Sequence, residues 1–379
     1  MKKTLTAVFS VLFLLITVSC TDNKNIRSDT SGTDGTGSME LKYAQQFSVD
    51  YREDGCSVVT IGDDLFLIVP ESVSVPDNTN GMTVIKQPVN NIYVAATSAM
   101  DLFDCIGRLD DVKMISTAAS GWSLPDIYDA VDSGKIEVIG KYSSPDYETL
   151  VREKCGLAVE STMIYHTPEV REQIESFDIP VLVERSSYES HPLGRMEWIK
   201  LYGLITGDYE SAEKIFNDKI KAFEELSTVD IPEKERKTAA FFYITSNGYF
   251  SIRKPGDYVS KMIELAGGKY IFTADQLNVD DNALSTMNIQ TETFYDIAHD
   301  ADILIYNSTI GGEIDTIEQL IGKCGVLADF KAVKSGDVWC TGQNMFQQTT
   351  GAADMICDLN KVFTENPENS DLTYLHKLD

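Results

Sequence analysis

Histidine is scarce in this chain: its 379 residues hold four, at 166, 191, 299 and 376. They lie too far apart in sequence to read as a multi-histidine metal centre. Cysteine occurs seven times, at 20, 56, 105, 155, 324, 340 and 357, but never as C-x-x-C, so neither a zinc ribbon nor a dithiol redox motif is present. Positive charge is in deficit, with 32 Lys and Arg against 59 Asp and Glu and a formal net charge of −27. Such a body repels nucleic acid and anionic headgroups and favours basic partner surfaces. No G-x-S-x-G elbow, P-loop, H-E-x-x-H or G-x-G-x-x-G occurs, and the chain is expected not to be an enzyme. Long apolar runs are also missing, apart from one near the start that is too short to span a bilayer comfortably.

That run, Ala7 to Val18, is interrupted only by Ser10 and Thr17, and it follows a basic Lys2-Lys3. A positive start, a short apolar stretch and the small Ser19 read as a secretory leader over residues 1–19. Cys20 directly follows Ile16-Thr17-Val18-Ser19, which resembles a bacterial lipobox, with Thr17 where Leu is usual. The resemblance implies that Cys20 is lipidated and that the mature chain is extracytoplasmic and anchored to the cell membrane. Residues 20–38 are nearly all Ser, Thr, Gly, Asp and Asn beyond the Cys. Such composition buries nothing and predicts a flexible tether.

The rest is long enough for two packed units. Residues 39–90 read as a small β extension, with Ser57-Val58-Val59-Thr60-Ile61 and Leu65-Phe66-Leu67-Ile68-Val69 flanking a Gly62-Asp63-Asp64 turn. Residues 91–190 alternate short apolar runs with helical patterns, which predicts βαβ units on a parallel sheet. Cys105 falls in one helical pattern as a buried thiol. Residues 191–230 read as linking helices: Pro192 opens one, and Tyr209, Ala212, Phe216, Ile220, Phe223 and Leu226 form the apolar stripe of a long second one. Alternation resumes over 231–379. The expected fold class is therefore α/β: two Rossmann-like α/β lobes joined by a long helix, behind a small N-terminal β extension.

Three stretches give this layout a family resemblance. Ser144-Pro145-Asp146-Tyr147-Glu148-Thr149-Leu150, followed by Gly156-Leu157-Ala158-Val159, resembles a first-lobe "P-N-x-E … P-D-L-V-I" pattern. Ile289-Gln290-Thr291-Glu292-Thr293-Phe294, followed by Asp300-Ala301-Asp302-Ile303, resembles its second-lobe counterpart "S-x-E … P-D-V-I". Ala266-Gly267-Gly268-Lys269-Tyr270-Ile271-Phe272 is similar to a "G-G-x-N-V-F" turn, while both "P-D" dipeptides lack their Pro here. The family is the class III substrate-binding proteins of ABC importers, which deliver siderophore-bound iron, haem and cobalamin. The resemblance implies the class III periplasmic-binding-protein fold, a monomer, and a permease dimer with its ATPase subunits as partner. It implies a metal chelate as ligand, an iron–siderophore ahead of a corrinoid or haem, rather than a built-in cofactor. Glu148 and Glu292 would be the two carboxylates that meet Arg residues of the permease.

In α/β lobes ligands bind beyond the carboxyl ends of the strands. The candidate ligand-binding residues are therefore Ser98 and Trp122, then Tyr165 and His166, in the first lobe. In the second they are Tyr249, Arg253, Asn344 and Phe346. Trp122 offers a ring face for a macrocycle or catecholate, the alternative being closure of its own lobe's core. Tyr165 and His166 offer a phenol and an imidazole. Arg253 offers a fork for a carboxylate, the alternative being an acidic neighbour. A binder of a bare metal ion, or a sensor module of the same fold, is the competing reading.

Overall fold

The computed structural model describes residues 37–226, 231–365 and 367–379. The expected leader, Cys20 and the tether up to residue 36 lie outside the described residues. The body opens with β1 (Gly37–Ser38), β2 (Phe47–Tyr51), β3 (Ser57–Ile61), β4 (Asp64–Val69) and β5 (Thr83–Lys86), hydrogen-bonded in that order. The expected tether, residues 20–38, overlaps β1 at Gly37 and Ser38. Gly37 and Ser38 pair antiparallel with Tyr51 and Asp50, a ladder that composition alone does not reveal.

The first lobe follows as β6 (Ile92–Val94), α1 (Thr97–Cys105), β7 (Val112–Ile115), α2 (Pro125–Asp132) and β8 (Glu137–Val138). A small ladder of β9 (Gly140–Lys141) with β10 (Ser144–Pro145) leads to α3 (Tyr147–Arg152), β11 (Ala158–Ser161), α4 (Pro168–Glu175) and β12 (Val181–Glu184). Its sheet runs β12-β11-β6-β7-β8, every pair parallel. The order reverses beside β6, so the loops after β6 and β11 sit where such sheets take ligands.

Three helices replace the expected pair: α5 (Pro192–Glu197), α6 (Ile199–Thr206) and α7 (Tyr209–Leu226). Gly207 ends α6 at φ +81°, and the chain turns at once into α7. The turn is tight because Gly203 has no side chain; a Cβ there would meet the Ala212 Cβ at 2.4 Å. The stripe Ala212, Phe216, Ile220 and Phe223 is buried as its spacing predicts. At 18 residues α7 is about 27 Å long.

The second lobe is β13 (Thr238–Ile244), β14 (Phe250–Arg253), α8 (Tyr258–Leu265), β15 (Lys269–Tyr270), α9 (Ala274–Leu277), β16 (Thr286–Ile289) and α10 (Thr291–Ala298). It continues through β17 (Ile303–Tyr306), α11 (Ser308–Gly311), α12 (Ile317–Lys323), α13 (Lys331–Ser335), β18 (Val338–Thr341), α14 (Ala352–Thr364) and β19 (Leu375–Lys377). β13, β17 and β18 are parallel, while β14, β16 and β19 run antiparallel at the flanks. One apolar core runs from the extension through the linking helices into both lobes. The six cysteines of the described residues are free thiols.

Two buried carboxylates hold the extension to the linking helices. Glu197 accepts from the backbone N–H groups of Lys42, Tyr43 and Ala44 at 2.7–2.9 Å and pairs with Lys200 Nζ at 2.8 Å. Glu189 accepts from the N–H groups of Gln45 and Gln46 and from the Trp198 indole. Glu197→Ala strands Lys200 and three amides; removal of one partner from a buried pair costs about 3–5 kcal/mol, to be read as a lower urea midpoint.

Glu160, on β11, is a different case. It is fully buried, and neither carboxylate oxygen has a hydrogen-bond partner. Burial pushes its pKa up from 4.5 to about 8. The folded protein thus keeps a proton that the unfolded chain releases. This group's contribution is best below about pH 4.5 and worsens as pH rises toward 8. Glu160→Gln is expected to remove that slope and add on the order of 2–4 kcal/mol at pH 7, measured by denaturant unfolding between pH 5 and 8.

Candidate functional site: a cleft between two lobes

A segment of 3-10 turns over 343–351 leaves the end of β18 and crosses to the first lobe. Gln347 accepts from the Ser123 N–H at 2.8 Å and donates to the Gly121 carbonyl at 2.7 Å. Thr349 Oγ1 donates to the Ser98 carbonyl at 2.8 Å, and the Thr350 N–H donates to Asp101 at 2.6 Å. The start of α1, after β6, and the turn after β7 therefore meet the segment after β18, and this strap ties the two lobes together.

The predicted residues differ in their freedom to act. Ser98 spends its hydroxyl on Glu184 Oε2 at 2.9 Å. Trp122 is buried in the core and donates its indole N–H to the Thr117 carbonyl at 3.2 Å, so it closes its own lobe and leaves little ring face free. Tyr165 and His166 end a 3-10 turn after β11 and are exposed. Tyr249 is exposed beside Gly248 in the turn from β13 to β14. Asn344 donates to Gln348 within the strap. Arg253 lies not in a loop but at the end of β14, paired with Thr286 of β16. There Asp257 faces its guanidinium at 3.6 Å, and its charge sits over the Phe346 ring at 4.7 Å.

Other residues at the strand ends went unnoticed. Arg185, just past β12, donates to the Tyr165 hydroxyl at 3.3 Å and sits over the Tyr188 ring at 5.1 Å. It also donates to Gln46 Oε1 at 3.2 Å and packs at the tip of the β3–β4 hairpin, where a Cβ on Gly62 would meet it at 3.2 Å. The extension thus reaches the rim of the first lobe, reinforced by the Asp64–Arg171 ion pair at 2.8 Å. Met163, Tyr165, Tyr188, Tyr249 and Ile310 are all large, apolar and at least 39% exposed, and each follows the end of a strand. Applying the strand-end rule to β12 and β17 would have found Arg185, Tyr188 and Ile310. No local pattern points to the strap.

Glu148 and Glu292 occupy the same place in their helices, the second residue of α3 and of α10. Both are exposed and lie in the first turn, where a carboxylate is favoured by the helix dipole. Asp146 caps α3 by accepting from the Glu148 N–H at 3.0 Å. Each helix starts on the side of its lobe where parallel strands end, since Asp146 N–H bonds the Ile139 carbonyl and Ile289 pairs with Phe250 near the end of β13. Among the described residues no group of three or more His, Cys, Asp and Glu is placed to hold a metal ion.

Two α/β lobes, one all-parallel and one mixed, joined by packed helices, define the fold of the class III substrate-binding proteins. The solved structures it matches are binding proteins rather than enzymes. Among them is the periplasmic catecholate-siderophore binding protein VctP of Vibrio cholerae, at TM-score 0.57 and 15% identity, covering 73% of this chain and 94% of that one. Another is an ABC transporter substrate-binding protein of Listeria monocytogenes, at TM-score 0.53 and 16% identity, covering 73% and 98%. By sequence the chain is 23% identical over 390 residues to an uncharacterized lipoprotein of Methanocaldococcus jannaschii, covering 92% of this chain and 89% of that one. No protein-family model matches the chain.

The strap gives a direct test of lobe coupling. Gln347→Ala removes two inter-lobe hydrogen bonds, each worth about 0.5–1.5 kcal/mol. Faster amide hydrogen exchange over 119–123, with the second-lobe sheet unchanged, is the expected result.

Proposed function

We propose that this chain is the extracytoplasmic substrate-binding lipoprotein of an ABC importer, anchored through Cys20. It captures a metal chelate between its lobes and presents it to the permease. The observation that carries the reading is the pair of exposed carboxylates, Glu148 and Glu292, at matched positions of two lobes of class III fold. An exposed carboxylate takes an Arg fork by two parallel hydrogen bonds. The net charge of −27 also suits a basic docking surface.

An iron–siderophore is the first choice of ligand, ahead of a corrinoid or haem. Exposed aromatic and apolar side chains beside Arg185 suit a flat, conjugated and partly anionic chelate. VctP supplies a catecholate-binding precedent for the fold.

Protein purified from its own host is expected to carry its ligand, read by visible spectrum and native mass. A broad charge-transfer band identifies a ferric siderophore, a Soret band haem, and cobalt-corrin bands a cobalamin. Reversing both charges, Glu148→Arg with Glu292→Arg, is expected to abolish import while leaving ligand affinity unchanged. Uptake at the normal rate would remove the docking assignment.

A further inference from the structure

Arg195, on α5, is 8% exposed, yet no side-chain hydrogen bond or ion pair from it is present among the described residues, and its Nε is buried without a partner. Its guanidinium lies over the Tyr258 ring at 3.9 Å. It faces a cavity of about 20 Å³ beneath the strap, walled by Tyr258, Met262, Phe346, Gln348 and Met355 among others, and by no Asp or Glu. That volume suits one water-sized polar group. A lone cation among Met, Tyr and Phe is costly to bury, because little in such walls replaces its hydration.

The neighbouring arginine is in the opposite condition. Arg253 shares the Tyr258 and Phe346 rings, at 5.7 and 4.7 Å, but Asp257 already faces it at 3.6 Å. Of the two cations on the cleft floor, only Arg195 lacks a counter-charge. We propose that Arg195 anchors a carboxylate of the ligand, which reaches under the strap and places one oxygen in the small cavity. The carboxylate supplies the missing charge and accepts from the orphaned guanidinium, and the bidentate geometry of Arg is matched to that group. The inference rests on the binding-protein reading above and narrows its ligand to chelates that carry a free or peripheral carboxylate.

The test uses the mature protein, titrated with ferric citrate and, separately, with an uncharged ferric trishydroxamate, with binding followed by tryptophan fluorescence and thermal shift. Wild type is expected to bind ferric citrate, Arg195→Met to weaken it about 10- to 100-fold, and Arg195→Lys to restore part of the loss. Arg253→Gln is expected to change it less. Unliganded Arg195→Met is expected to melt no lower than wild type, since an uncompensated buried charge is gone, which separates a ligand anchor from a packing residue. Equal ferric citrate affinity in Arg195→Met and wild type overturns the proposal. If wild type takes only the trishydroxamate, and Arg195→Met takes it equally well, the carboxylate anchor falls while the binding-protein reading stands. If wild type takes neither chelate, the anchor falls as well, and the host-purified ligand judges the broader reading on its own.

Discussion

Five consecutive backbone amides, from Lys42 to Gln46, end on two buried carboxylates, and most of the molecule's organisation depends on that junction. The segment has no strand partner there, and its N–H groups would otherwise be buried without acceptors. Glu197 and Glu189 satisfy them from α5 and from the turn before it. Lys200 balances Glu197, and the Trp198 indole completes Glu189. Charges so deeply buried are tolerable only when every partner is present, so the junction holds as a unit. Phe47 against Trp198, edge-on at 5.0 Å, adds the apolar half of the joint. The extension is thereby fastened to the helices that connect the lobes, and α5, which carries Arg195, is fixed in turn.

A fixed α5 bears on motion. The α6–α7 corner is closed by Gly203 against Ala212, and α7 packs its stripe into the common core. Among the described residues, α5, α6 and α7 follow one another with turns of one or two residues. The strap meanwhile ties β18 of one lobe to α1 and the turn after β7 of the other. These contacts oppose a swing of whole lobes, and under the proposed function they leave ligand selection to side chains already in place.

The parallel strands were legible where they are short apolar runs buried on both faces, as at Val181 to Val183 or Ile303 to Tyr306. The helix stripes were legible for the same reason of periodicity. What escaped was whatever depends on a distant partner. Phe250–Arg253 looks like loop, because Asn247-Gly248 reads as the end of a strand rather than as a hairpin turn, and β16, its outer partner, is polar. Gly37 and Ser38 look like tether until β2 supplies their ladder. Arg195 is an ordinary basic residue in a helical pattern; its isolation arises only when α5, α8 and the strap enclose it. Trp122 could be core or cleft from its loop alone, and the Thr117 carbonyl puts it in the core.

The charge of the whole chain and the charge of the cleft floor act at different ranges. A net −27 opposes the approach of an anion across solvent, but salt screens that opposition beyond about 8–10 Å. The Arg195 guanidinium acts at contact, with its Nε buried and unpartnered beside Tyr258, Met262 and Phe346, where partial exclusion of water strengthens its field. The acidic exterior does not collect anions at large, and under the proposed function capture depends on a group that fits beneath the strap. On the same proposal Glu148 and Glu292 are exposed carboxylates offered to a basic partner, while ligand recognition rests on a few side chains held by α5, β14 and the strap.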